Sequence, residues 1–252
     1  MKISNFCQIM DSEDQGAPVV GFENVPENDA AEYLNNYKTH TPGITHDEMV
    51  RAYTEWATNY DKDLCPGRYN GPEIAARFMA THYPVEVRDK LNILDVAAGT
   101  GQVGRELHKV GFRKIDALEP SPGMLQVLKR RNIYGTLYQV ALGLERINAI
   151  ATDAYDALVI AGGMGEGHIP VRGLDEIVRI VKPGGTVFIV MREEYLSYVT
   201  EYVGKLEPYM ENLVRLAHGV GLIELSWRTI LSENLEWYSS IKSKSRADPI
   251  IS

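Results

Sequence analysis

Residues 92–104, NILDVAAGTGQVG, constrain this chain more than any other stretch. Ile93, Leu94, Asp95 and Val96 read as the end of a buried strand that carries one carboxylate. A turn of small residues follows, and a helix opens near Gln102. Gly99 and Gly101 carry no Cβ at a point where a backbone turns tightly or approaches a ligand. A strand, a glycine turn and a helix N-terminus in series make a site for the polar groups of a nucleotide-like ligand. The alternative is a tight strand-to-helix connection with no ligand.

Two cofactors fit these letters. Gly99, Gly101 and Gly104 match the dinucleotide pattern G-x-G-x-x-G, and Glu119 follows at a distance suited to a ribose hydroxyl. That match alone predicts a nicotinamide oxidoreductase. The surroundings point elsewhere: Asp95 lies four residues before Gly99, and Glu119 is followed at once by Pro120, Ser121, Pro122, Gly123 and Met124. Further on stand YDALVI at 155–160 and VKPGG at 181–185.

With 252 residues, 44% hydrophobic and 24% charged, the chain can bury a full core without staples. Its net charge of −8 works against a nucleic-acid partner, which needs Lys and Arg gathered on one face. The basic cluster of Lys242, Lys244 and Arg246 reads as a solvated tail. Cys7 and Cys65 show no metal-ligand spacing, so no metal is expected and both read as free thiols. No apolar run reaches transmembrane length, so a membrane partner is not expected and the cytoplasm is the expected compartment.

In chain order, 1–45 read as a partly flexible extension rich in acids and breakers, with a short helix ending near Tyr37. Thr45 and Glu48 form a capping box, and the helix behind it carries Tyr53, Trp56, Ala57 and Tyr60 on one face. That face is either a lid over a ligand or plain core. A second helix spans 73–82. Strands are expected at 92–96, 115–119, 136–141, 156–161 and 185–191, with helices at 102–110, 122–131, 173–181 and 195–218. A last pair of strands near 222–231 and 235–241 reads as a hairpin. Alternation of this kind predicts an α/β parallel sheet covered on both faces. Tyr195, Tyr198, Tyr202 and Tyr209 share a helical face, as core or as substrate contacts. The domain is expected to span 46–241, its lid 46–72, with 242–252 as a flexible tail.

These motifs resemble the class I S-adenosylmethionine-dependent methyltransferases, and more narrowly the methyltransferase-like proteins of the Williams–Beuren syndrome chromosome region. The residues that carry the resemblance are YTEWATNYD at 53–61, LDVAAGTG at 94–101, SPGML at 121–125, Ile169-Pro170 and VKPGG at 181–185. The resemblance implies a Rossmann-like, seven-stranded, mostly parallel sheet with an antiparallel C-terminal hairpin, and S-adenosyl-L-methionine as cofactor. It assigns cofactor contacts to Tyr60, Tyr69, Asp95, Ala97, Gly99, Gly101, Glu119, Pro120, Met124 and Ala161. Glu119 would take the ribose hydroxyls, and Met124 would lie over the adenine or pack in the core. Asp95 would accept from the glycine-turn amides near the cofactor's amino group.

No acid follows the third strand where many relatives place one for the adenine amino group. The Asn/Asp-Pro-Pro-Tyr motif of base and glutamine methyltransferases is also missing. The expected reaction is methyl transfer to a small-molecule acceptor. A silent cofactor-binding module, a protein methyltransferase and the nicotinamide enzyme stand as alternatives. No catalytic residue is assigned. His168 is a candidate general base, since an imidazole titrates near neutrality, or an incidental loop residue.

Overall fold

A computed structural model describes residues 30–64, 69–143, 145–220 and 223–230. Two helices precede the sheet region, α1 (Ala30–Thr39) and α2 (His46–Asp63), and α3 (Gly71–His82) leads into it. The capping box is formed: the Thr45 hydroxyl accepts from the Glu48 amide, and the Glu48 carboxylate accepts from the Thr45 amide. α3 starts with Pro72 in its first turn, where a missing N–H costs nothing.

Strand and helix then alternate through β1 (Asn92–Val96), α4 (Gln102–Lys109), β2 (Lys114–Leu118), α5 (Pro122–Lys129), β3 (Leu137–Tyr138) and β4 (Tyr155–Ala161). The series continues with α6 (Leu174–Ile180), β5 (Val181–Arg192), α7 (Tyr195–Tyr198), α8 (Leu206–Val220) and β6 (Ile223–Ile230). The sheet order is β3-β2-β1-β4-β5-β6, and every described pairing is parallel. The order reverses between β2 and β4, which leaves a crevice beyond the carboxyl end of β1.

The central strands are apolar on both faces, as a parallel sheet covered on both sides requires. On one face Leu94, Val96, Leu158, Ile160, Val187 and Ile189 pack against α6, α7 and α8. On the other, Ile93, Ala157, Val159, Phe188 and Val190 pack against Ala75, Ala76 and Met79 of α3 and Val103 and Leu107 of α4.

Four expectations need correction. The sheet has six described strands rather than seven. β6 joins β5 directly in parallel, with Gly185 opposite Ile223, and the expected second strand of the hairpin, 235–241, lies outside the described residues. β3 holds only Leu137 and Tyr138, because the chain leaves the sheet beyond them and carries Ala141 and Leu142 into a cavity wall. The single helix at 195–218 is broken into α7 and α8. Gly204 turns with φ +64°, and Pro208 falls in the first turn of α8, where its missing N–H costs nothing, whereas inside one long helix it would clash with the carbonyl four residues back. Finally, β5 begins at Val181, earlier than expected, with Pro183 and Gly184 bulging out before pairing resumes at Thr186. The N-terminal residues 1–29, both cysteines and the basic tail also lie outside the described residues.

Candidate active site

The carboxyl end of β1 runs into the glycine turn, whose backbone is left-handed at Ala97 (φ 54°), Gly99 (φ 55°) and Gly101 (φ 84°). The three glycines serve different ends. A Cβ on Gly99 would meet nothing within 4 Å, so this one opens onto free space. A Cβ on Gly101 would lie 2.9 Å from the Tyr134 ring, and one on Gly104 would lie 2.2 Å from the Tyr134 hydroxyl. The last two glycines of G-x-G-x-x-G therefore make room for a tyrosine.

Tyr134 explains how a carboxylate is tolerated in β1. Its hydroxyl accepts from the Gly104 amide at 3.0 Å and donates to Asp95 Oδ2 at 2.7 Å. Asp95 is fully buried, and its Oδ1 has no partner among the described residues. Burial raises its pKa to about 7, against the pull of the Tyr134 bond, and the neighbouring Glu119 adds to the rise. Glu119 ends β2 facing the turn. Its two oxygens accept from the amides of Gly99 and Ser121, both at 2.8 Å. Burial lifts this carboxyl to about 7 as well.

Beside these residues lies a cavity enclosing about 750 Å³ of empty space, part of it open to solvent. Of the residues assigned to the cofactor, Tyr60, Tyr69, Ala97, Gly99, Glu119, Pro120, Met124 and Ala161 line it. Asp95 and Gly101 stand behind the wall, supporting the turn through Tyr134. The Tyr69 ring lies against Gly71 and Gly162, each of which has room for it only because a Cβ is absent.

Helix α2 forms the facing wall, and its aromatic stripe divides between two tasks. Trp56 and Ala57 are buried, Trp56 donating to Asp63 at 2.7 Å, whereas Tyr53 and Tyr60 line the cavity. Besides the contacts of His46 and Tyr53 with the loop after β4, the helix is tied to the sheet domain at Thr54 and Asp61. A Cβ on Gly123 would sit 2.5 Å from the Thr54 carbonyl, so α2 and α5 touch there, and the Thr54 and Ser121 hydroxyls are bonded at 2.9 Å. At the other end Asp61 accepts from Thr100 at 2.5 Å, from Gln102 at 2.9 Å and from Arg131 at 2.5 Å.

The far wall is the loop after β4. His168 lines the cavity there, beside Tyr53. Tyr202 supports the loop by donating to the Ile169 carbonyl at 2.7 Å and accepting from the Gly165 amide at 3.0 Å. Of the four tyrosines on one helical face, Tyr195 and Tyr202 are buried; all four pack on the same core. Sequence reasoning passed over Tyr134, Asp61, Arg131 and His46. Asp61 stood inside the quoted aromatic motif. Tyr134 sits in a loop 30 residues from Gly104, with no periodic pattern to mark it.

A parallel sheet whose first strand ends in an open glycine turn, with a buried acid ending the next strand beside it, defines a nucleotide-cofactor crevice of the Rossmann-like kind. Residues 93–185 match the model of a methyltransferase domain family. The chain is 29% identical to human methyltransferase-like protein 27 over 214 residues, covering 81% of this chain and 84% of that one. It is 30% identical to the demethylmenaquinone methyltransferase of Corynebacterium efficiens over 169 residues, 67% of this chain and 66% of the relative. Among solved structures, a TehB-like S-adenosylmethionine-dependent methyltransferase from Corynebacterium glutamicum aligns with TM-score 0.49 and 20% identity, over 65% of this chain and 83% of that one. The chain belongs to the class I S-adenosylmethionine-dependent methyltransferases. The nicotinamide alternative falls, and the side chain of Tyr134 occupies the space that its second and third glycines would have kept open.

Proposed function

We propose that this enzyme transfers a methyl group from S-adenosylmethionine to a small-molecule acceptor bound in the same cavity. The observation that carries the reading is a single cavity shared by the open glycine turn, Glu119 and the inner face of α2. The residues present suit the cofactor. Gly99 leaves space against the backbone, Glu119 is a carboxylate at a strand end, and behind the turn Asp95 Oδ1 is a buried acceptor with no partner among the described residues. Two buried carboxyls with raised pKa values favour a cationic ligand, which would stabilise their ionised forms.

When bound, the cofactor supplies a sulfonium whose methyl group is already activated for displacement. The protein's part is to hold, orient and exclude water. Glu119 accepts from the ribose hydroxyls, Met124 and Leu142 cover the base, and Tyr60 and Tyr69 face the sulfonium, whose charge attracts aromatic faces. Apolar Ala141 and Leu142 stand where many relatives hold an acid, so the base is bound by shape and backbone. Because α2 is held down at both Thr54 and Asp61, the cavity suits a free small molecule better than a side chain presented on a protein surface.

The first test is calorimetry with S-adenosylhomocysteine. The parent is expected to bind. Glu119→Ala should lose ten- to a hundredfold in affinity, since hydrogen bonds to a charged group are worth about 1.5–3 kcal/mol. Equal binding by Glu119→Ala removes the ribose assignment. Mass spectrometry of metabolite extracts incubated with methyl-labelled cofactor then identifies the acceptor.

A further inference from the structure

The cavity wall formed by α2 and the loop after β4 contains a hydrogen-bonded pair that cofactor binding does not use. His168 Nδ1 lies 2.7 Å from the Glu166 carbonyl, and a carbonyl can only accept, so Nδ1 carries the imidazole proton. Nε2 then holds a lone pair. The Tyr53 hydroxyl lies 3.0 Å from it and must be the donor. The ring's orientation is held by packing: His40 stacks on the His168 ring at 4.8 Å, and Tyr53 meets it edge-on at 5.7 Å. With its own proton turned to His168 and Thr39 as a second hydrogen-bond neighbour, the phenol oxygen of Tyr53 keeps a lone pair for the cavity. It selects a ligand that has a proton to donate.

The rest of that wall limits the ligand's charge. Among the described lining residues there is no lysine or arginine, and the one carboxylate, Glu119, is already held by two backbone amides. An anion would be buried there with no lysine or arginine among the described lining residues to pair with. Met49, Leu142 and Ile169 supply apolar surface.

We propose that Tyr53 and His168 form the proton-accepting end of an acceptor subsite that takes an uncharged molecule bearing an aromatic hydroxyl. The inference rests on the cofactor reading above. The acceptor oxygen forms its bond to the methyl carbon while that carbon's bond to sulfur breaks, leaving the electron pair on sulfur. The acceptor's proton passes to the Tyr53 oxygen as the Tyr53 proton passes to His168 Nε2. One positive charge disappears at sulfur and one appears on the imidazole, so the total charge of the cavity is unchanged. In a low-dielectric site this avoids the cost of creating a separate ion. Burial, with the neighbouring His40 adding to it, lowers the His168 pKa to about 3, so the imidazole is neutral at ordinary pH and Nε2 is free to accept from Tyr53.

The test uses the full chain saturated with S-adenosylhomocysteine, at a pH below the phenol's own pKa so that it is uncharged, and three probes: 4-nitrophenol, its methyl ether and 4-nitrobenzoate. The phenol should bind at least tenfold more tightly than the ether, which has no proton to give, or the benzoate, which is charged. Tyr53→Phe and His168→Phe should each cost about tenfold in phenol affinity and leave S-adenosylhomocysteine affinity unchanged. With S-adenosylmethionine instead, the parent should form 4-nitroanisole, and kcat should fall about a hundredfold in both variants with the cofactor KM unaltered. The isosteric Tyr53→Phe keeps the test decisive where His168→Phe melts early. Phenol binding no tighter than that of the ether, no 4-nitroanisole from the parent, or variants equal to the parent would each overturn the proposal. Failure of the parent to bind S-adenosylhomocysteine would instead overturn the cofactor reading.

Discussion

A methyl group added at Gly104 would lie 2.2 Å from the Tyr134 hydroxyl, a separation no packed pair of atoms tolerates. The ring would have to swing away, taking with it the Tyr134 hydrogen bond to the buried Asp95 carboxylate. Gly104→Ala is therefore expected to cost roughly 1–3 kcal/mol through overpacking, read as a lowered denaturant midpoint. The motif's last glycine is thus a stability residue. Gly99, which faces open space, is where a larger side chain would obstruct ligand binding while leaving core packing alone.

Among the elements, α2 matters most, because it joins the cavity to the glycine turn. Its last turn carries Asp61, which gathers the Thr100 hydroxyl, the Gln102 amide and the Arg131 guanidinium; Arg131 also donates to the Thr100 carbonyl at 2.5 Å. Asp61 thereby ties α2, the turn and the residues just after α5 together from a half-exposed position. Asp61→Ala should loosen the turn without opening the core. S-adenosylhomocysteine affinity is expected to fall by about tenfold, or roughly 1.4 kcal/mol, with only a small change in melting temperature. Hydrogen exchange across α2 should quicken in the same variant. Unchanged affinity and exchange would show that the contact is incidental.

For the molecule as a whole, four buried groups set opposing responses to pH. His40 and His168 are held down to about 4 and 3 by burial, so below pH 6.5 the unfolded chain binds protons that the folded one refuses. Their contribution to stability is lost as pH falls through that window. Asp95 and Glu119, held up to about 7 by burial, act in reverse: between about pH 4 and 7 the folded chain binds the extra protons, and their contribution is lost as pH rises. Two single variants separate the two effects. The melting temperature of Asp95→Asn relative to the parent should be higher at pH 8 than at pH 5, and that of His168→Phe higher at pH 5 than at pH 8. Differences independent of pH would show that these groups titrate as they do in water.

The alternation of apolar strands with amphipathic helices, the Thr45–Glu48 capping box, the glycine turn and the strand-end acid were all legible along the chain. Each is a local pattern: periodicity, capping and turn chemistry act over a few neighbouring residues. Tertiary structure alone decided which glycine faces the cavity, since Gly99, Gly101 and Gly104 read alike until Tyr134 takes its place beside two of them. It also decided that Tyr53 and Tyr60 line the cavity while Trp56, on the same helical stripe, is buried behind them. The pairing of Tyr53 with His168, 115 positions apart, and the grip of Asp61 on Thr100 and Arg131 exist only because the parallel sheet brings distant loops to one edge. Such contacts are set by where whole elements dock, and no local pattern along the chain records that docking.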